Sequence, residues 1–470
     1  MGEPFPPHRH LSGNFAPLLM ECDAPDLPVL GGVPHELGGT LYRIGSNPQY
    51  PPRDEHYHWY VGDGMIHAFR FQHGRVAYRN RWVRTRKFLA ERAAGRALYG
   101  SWDNPRTSDP SVAGRESGGP ANGNVVWHGG RLLALSSNHL PVEVDWQRLD
   151  TVGSWDFGRK PMRRMSSHPK LDPVTQELLF FAYGADGPLT QRILYGVADS
   201  EAEVQRLDAF DAPFAGLMHD LIMTRDHVLF PLVPLVGCPK RRSRGEPAYA
   251  WEPERGVAIG VLRRGRPVAE MRWFKGDACS FFHVMSAWEE GDKIVAHLMQ
   301  FEGAPPFPRI DRRERATPQP KLSRWTFDLA GESDHVAREY IDDLAGEVPR
   351  IDERFLGGRH RHGWYAVLGR DAGGRSALNA LAHLDLVTGR RALYRLPESD
   401  RVSEPVFVPR AADAAEGDGW LLALAYRGVE KRNDILVFAA TDLAAGPLAT
   451  AQLPHRIPYD FHGSWRPAAA

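Results

Sequence analysis

Cysteine is scarce: the chain has 3 in 470 residues, and Cys22, Cys238 and Cys279 stand far apart with no paired spacing. That argues against a disulfide framework and against a cysteine zinc site, and it fits reduced thiols in the cytoplasm. Net charge is absent as well, with 58 Lys and Arg against 58 Asp and Glu. Without a cationic excess to meet phosphates, nucleic acid is not an expected partner. Long apolar runs are missing too. The longest, 228–237, contains Pro231 and Pro234 and falls far short of the roughly 20 residues that cross a bilayer. The opening residues Met1-Gly2-Glu3-Pro4-Phe5-Pro6-Pro7 lack the apolar stretch of a secretory signal. Pro6 stands where a myristoylation signal has Ser or Thr. A soluble, cytoplasmic protein is expected. Helical periodicity is the last scarcity: only 86–96 and 200–206 predict helices, the first with Thr85 as its N-cap.

What the chain does have is short apolar or alternating runs punctuated by turn chemistry. Val125-Val126-Trp127, His128-Gly129-Gly130-Arg131 and Leu132-Leu133-Ala134-Leu135 read as a β-hairpin. Glu289-Glu290-Gly291-Asp292-Lys293 and Leu386-Val387-Thr388-Gly389-Arg390 turn between further pairs of runs, and Glu416-Gly417-Asp418-Gly419 leads into another. Residues 1–40 are proline-rich and read as an extended strap. The pattern predicts one all-β domain over 1–470, a propeller or a double sandwich. Long segments rich in Gly, Pro and charge at 102–124, 240–255 and 301–321 are loops of the length that carries function on a rigid scaffold.

Among 20 histidines, four have a distinctive setting: His168 in Ser166-Ser167-His168-Pro169-Lys170, His219 in Leu217-Met218-His219-Asp220, His283 in Phe281-Phe282-His283-Val284, and His462 in Tyr459-Asp460-Phe461-His462-Gly463-Ser464-Trp465. Each lies at or near a strand edge. Their spread suits a radial scaffold that brings side chains to one axis, but no short ligand motif joins them. On spacing alone, a shared metal site and four unrelated histidines both remain open.

These segments, in this order, resemble the ligand segments of the carotenoid cleavage oxygenase family. So do Leu41-Tyr42-Arg43-Ile44-Gly45, Gly62-Asp63-Gly64-Met65, Asp172-Pro173 and Glu404-Pro405-Val406-Phe407-Val408-Pro409-Arg410. Tyr249-Ala250-Trp251-Glu252-Pro253-Glu254-Arg255-Gly256 and Ala287-Trp288-Glu289-Glu290-Gly291 resemble its bacterial lignostilbene dioxygenase and isoeugenol monooxygenase branch. The resemblance implies an all-β, seven-bladed propeller with long loops and few helices capping one face. It implies one non-haem Fe(II) per chain, held by His168, His219, His283 and His462. The implied reaction is cleavage of a carbon–carbon double bond of an aryl-alkene or stilbene-like substrate by O2, giving carbonyl products. Neutral imidazoles suit Fe(II) and leave it open positions. Glu347 and Glu404 match two of the three glutamates with which the family orients its histidines.

Two departures stand beside the implied iron. Ser137 occupies the place of the third glutamate, and Gly123 the place of a threonine that crowds a vacant iron position; together they are expected to open space. The branch's phenol-binding tyrosine and lysine align with Trp102 and Ser136, which favours a substrate lacking that hydroxyl or bound another way. Trp59, Phe281, Phe282 and Phe307 are candidate walls of an apolar substrate tunnel. The rival readings are an apocarotenoid-cleaving dioxygenase and a non-catalytic small-molecule-binding propeller. Removal of the chain from Phe461 onward is expected to abolish iron binding before it unfolds the domain.

Overall fold

The computed structural model describes residues 4–101, 104–158, 164–244, 246–305, 318–371 and 373–468. The architecture is strand after strand, most joined by tight turns to the next antiparallel neighbour. The hairpin expected around Gly129-Gly130 pairs Asn124–His128 with Arg131–Leu135. Both glycines have positive φ, 54° and 72°, the two-residue turn whose twist matches that of the strands it joins. A side chain at Gly129 would also collide with Ala202, 2.6 Å from the position of a Cβ.

Two sheets are simple four-stranded meanders. One runs from Asn124–His128 to Thr151–Ser154, the next from Lys170–Leu171 to Val204–Asp211. Further on, the long strand Ala337–Ile351 pairs through its first half with Lys321–Asp328 and through its second half with His362–Arg370. It therefore belongs to two strand groups at once. Fully buried Trp325, Trp364 and Trp420 fill the space between such groups. This is the radial, repeated-sheet arrangement of a β-propeller, in which few strand edges are left open.

The ring is closed by the two ends of the chain. Gly39–Ser46 pairs with Gly64–Gln72 on one side and with Asp460–Pro467 on the other. Val29–Gly31 adds to Ala449–Gln452 in the neighbouring sheet. The proline-rich strap is thus tied down at Asp23–Ala24 and Val29–Gly31. The segment Asp460–Pro467 is the edge strand that completes this sheet against Gly39–Ser46, so removing it from Phe461 onward would open the scaffold together with the site. The pairing thus couples loss of the site to loss of the sheet edge, where sequence alone suggests that iron goes first.

The helix at Arg86–Ala94 forms as expected, with the Thr85 hydroxyl accepting from Phe88 N–H at 3.1 Å and Gly95 ending it in the left-handed region. The helix expected over 200–206 does not form. Asp199 accepts from the N–H groups of Glu201 and Glu203, building a tight turn that feeds Val204–Asp211 back onto Arg192–Ala198. This local carboxylate capping outcompetes a weak helical pattern. A short helix at Pro239–Ser243 lies in the long 240–255 segment read as loop. Among the described residues no helix is long and apolar enough to cross a membrane.

Candidate metal centre

Each of the four histidines is presented where strand pairing is interrupted. His168 sits between an isolated bridge, His139 to Met165, and the strand Lys170–Leu171. His219 follows Gly216–Leu217, where the pairing shifts register. His283 lies inside Ser280–Glu290, between Phe281 and Val284, where the ladder to Lys293–Phe301 jumps. His462 lies on Asp460–Pro467, opposite a shift between Arg43 and Gly45. Such bulges bend a strand and re-aim its side chains, which is what convergence on one point requires.

The convergence is close. The candidate ligand atoms of His168, His219 and His283 all lie within 4.8 Å of one another. The His462 ring is 4.8 Å, centroid to centroid, from both His168 and His283. His283 Nδ1 lies 2.6 Å from Glu347 Oε2, and His462 Nδ1 lies 2.9 Å from Glu404 Oε1. Each carboxylate holds one ring nitrogen and so turns the other toward the centre. His283 Nε2 is buried without a hydrogen-bond partner. A buried nitrogen is costly to leave unpaired in a finished protein, and a metal ion would satisfy it.

Electrostatics agree with a ligand set. Burial, followed by the neighbouring imidazoles, pushes the pKa values of His168 and His219 well down. Burial also lowers that of His462 against the pull of Glu404. These three are neutral, lone-pair donors. Burial disfavours charge on His283 too, but Glu347, Asp220 and Glu404 together outweigh it and raise the pKa. The all-imidazole donor set with two carboxylates behind it fits a borderline divalent transition metal.

The carboxylate behind His462 is itself locked. Glu404 Oε2 accepts from Gly463 N–H at 2.9 Å and from Arg43 Nη1 at 3.1 Å, and Arg350 Nη1 lies 3.2 Å from Oε1. Arg43, only 1% exposed, also donates through Nε to Asp460 Oδ2 at 2.6 Å and through Nη2 to Phe461 O. Burial works to raise the Glu404 pKa, yet Arg350, His462 and Arg43 together hold it far below the usual carboxylate range. Gly463 is required here because a Cβ would lie 2.5 Å from Arg43 Cδ and 2.7 Å from Tyr42 O. Asp220, beside His219, accepts from Val284 N–H at 3.0 Å and pairs with Lys170 at 2.7 Å, tying three ligand segments together. Arg43, Arg350 and Asp220 lay inside or beside motifs noted in the sequence, but nothing local marked them as the frame of the site.

The histidines open into a mostly apolar cavity of about 920 Å³. Of the residues named as pocket candidates, Trp59, Gly123, Ser136 and Phe282 line it, and so does Ser137, which sequence places behind the ligands instead. Trp59 stacks on Phe461 at 4.2 Å, and Phe282 meets His219 edge-on at 4.8 Å. Phe281 does not line it. Its ring packs on buried Trp325 at 5.5 Å, in the core. The bulge that aims His283 inward has sent Phe281 the other way. Trp102 and Phe307 lie outside the described residues. Ser137 does not take over the missing glutamate's role: its Oγ lies 3.3 Å from Ser167 Oγ, and among the described residues no carboxylate hydrogen-bonds His168 or His219. Gly123 opens less room than expected, since a Cβ there would already be 3.2 Å from Ser167 Cβ.

Residues 15–467 match the family model described as "RPE65: Retinal pigment epithelial membrane protein". The chain is 38% identical over 469 residues to an isoeugenol monooxygenase from Pseudomonas nitroreducens, covering 97% of this chain and 98% of that protein. It is 36% identical over 482 residues to the lignostilbene-alpha,beta-dioxygenase isozyme III from Sphingomonas paucimobilis, covering 99% and 98%. The crystal structure of Pseudomonas brassicacearum lignostilbene dioxygenase superposes with a TM-score of 0.94 at 34% identity, covering 99% of this chain and all of that one.

Proposed function

The chain belongs to the RPE65, or carotenoid oxygenase, family, and from that premise we propose an Fe(II)-dependent oxygenase, with one iron per chain, that cleaves the C=C bond of an aryl-alkene or stilbene-like substrate. The observation that carries the proposal is the four-histidine cluster, backed by Glu347 and Glu404, in the lining of the apolar cavity. Relatives named for isoeugenol and lignostilbene oxygenation over nearly the full chain support the substrate class. We propose a single functional domain over 1–470.

His168, His219, His283 and His462 would hold the iron. When bound, it supplies the O2 chemistry that the polypeptide lacks. The protein's own part is binding and positioning. Glu347 and Glu404 keep two imidazoles in one tautomer and orientation. Trp59 and Phe461, stacked face to face, and Phe282 against His219 form flat apolar walls that can hold a planar conjugated alkene against the histidines. Holding the reactants at contact distance in a dry pocket accounts for a large share of rate enhancement in such reactions.

The test is metal analysis of protein made in iron-replete medium, combined with oxygen uptake and aldehyde formation on stilbenes, phenylpropenes and apocarotenals. Near-stoichiometric iron and aldehydes from an aryl-alkene are expected. Iron in traces only, or cleavage confined to apocarotenals, would overturn the reading.

A further inference from the structure

The charges around the cavity are unevenly committed. Its lining carboxylates are Glu347, Glu404 and Asp460. All three are engaged: Glu347 by His283, Glu404 by His462, Arg43 and Arg350, and Asp460 by Arg43. Among the four lining cations, Lys87 is fixed by Asp63 and Glu91 at 2.7 Å each, and Arg242 is engaged as well. Arg115 and Arg164 are different. Arg115 has no ion pair among the described residues, and Arg164 reaches only Glu116, at 4.0 Å, whose side chain is 86% exposed. His139, on the same lining, has Nδ1 2.9 Å from Ser137 O and is kept neutral by burial, so it adds no charge. A mostly apolar cavity therefore keeps in its lining one guanidinium, Arg115, with no ion pair among the described residues and a second, Arg164, held only by a long, solvent-exposed contact to Glu116.

Resting on the oxygenase reading above, we propose that the substrate is an amphipathic anion: an aryl-alkene that carries a carboxylate, met by Arg115 and Arg164. Guanidinium groups recognise carboxylates by charge and by paired hydrogen bonds. A phenol is the weaker candidate. With a pKa of about 10 it is neutral at pH 7, and an opposite charge within reach lowers a pKa by only about 1–3 units. A carboxyl group, at about 4, arrives ionised. The arginines also attract such a substrate before it docks, an effect that salt screens.

The experiment compares trans-stilbene-4-carboxylic acid, its methyl ester, 4-hydroxystilbene and stilbene as substrates of the iron-loaded enzyme. The same compounds are titrated under nitrogen by stilbene fluorescence, so that binding is read without turnover. Exposed pairs give about 5-fold each at most, so the acid should be favoured over the ester by about 10-fold, mostly in KM and in binding. The ratio should fall toward 1 in R115Q/R164Q and in 0.5 M salt. Iron content and melting temperature check that the variant is folded, and R164Q alone replaces it if the double variant loses iron. Equal treatment of acid and ester by the unaltered enzyme would overturn the proposal. So would an acid preference that survives in R115Q/R164Q, or 4-hydroxystilbene outperforming the acid. If none of the four compounds is cleaved, iron content and the wider panel of phenylpropenes and apocarotenals decide the oxygenase reading, and the acid-to-ester binding ratio under nitrogen still decides the carboxylate.

Discussion

Replacing Glu404 with Gln should separate the two duties of that side chain. Its Oε1 serves His462, while Oε2 serves Gly463 N–H and Arg43, with Arg350 beside both. Gln preserves a carbonyl acceptor but removes the charge that faces two buried guanidinium groups. Breaking one side of a buried ion pair costs about 3–5 kcal/mol, a large share of the roughly 5–15 kcal/mol that holds a domain folded. Loss of a ligand-orienting carboxylate should also weaken metal binding by about 10- to 100-fold. Glu347→Gln is the control. Glu347 Oε2 engages His283 and Val348 N–H, while Oε1 has no partner and no arginine faces it. It should show a similar loss of iron affinity but only about 1–2 kcal/mol of destabilisation. Urea unfolding of both metal-stripped proteins, with iron affinity from chelator competition, measures the two quantities. If E404Q unfolded at the same urea concentration as E347Q, the Arg43–Glu404–Arg350 lock would carry no stability and the argument would fail.

Further outcomes follow from the same geometry. Because Glu404 titrates below its unfolded value, its contribution to stability is fully present above about pH 4.5. That contribution should disappear as pH falls through its folded pKa, so the urea-unfolding midpoint of E404Q should vary less with pH than that of the unaltered protein. The raised His283 pKa means that protons compete with metal there already above the ordinary imidazole value of about 6.5, so iron affinity should weaken as pH falls toward and through it; a flat pH profile between 5 and 8 would contradict this. Ser137→Glu should slow iron loss to a chelator by about 10-fold if the new carboxylate reaches a histidine, and an unchanged rate would count against that reach. Gly463→Ala should destabilise the protein by about 1–3 kcal/mol by pressing on Arg43 and the Tyr42 carbonyl, with iron content falling in parallel. Phe282→Leu should raise KM for a stilbene, whereas Phe281→Leu should lower stability and leave KM alone.

The legible parts of the site were those carried by residue identity. The four histidines stand in recognisable segments, and Glu347 and Glu404 follow from theirs. Less legible were features decided by register. Strict alternation would have put Phe281 and His283 on one face and Phe282 on the other, yet the jump between Phe281 and Val284 gives Phe282 and His283 to the cavity and Phe281 to the core. Another irregularity sits at Glu347, where Val348 adopts φ 52°, an uncommon conformation for a β-branched residue. Its N–H donates to Glu347 Oε2 at 2.7 Å, so local strain of about 1–3 kcal/mol helps hold the carboxylate that orients His283. The small residues misled for a related reason. Gly123 and Ser137 looked like vacancies, but Ser167, unremarkable in sequence, comes up from beneath both. Arg43 and Glu404 are 361 residues apart, a separation at which no local pattern can announce a salt bridge.

The ring closure has a consequence for biosynthesis. His168, His219 and His283 emerge from the ribosome well before His462, and the strand that bears His462 is the one that seals Gly39–Ser46 into its sheet. At about 5–20 residues per second, the interval between making the third histidine and the fourth is on the order of 10–40 seconds. During that time the nascent chain holds three imidazoles on an unclosed scaffold. A full set of four histidines and a sealed sheet arrive in the same event, so capture of a metal by all four cannot precede synthesis of that strand. Iron supplied during translation would meet an incomplete claw; iron supplied afterwards would meet a finished one.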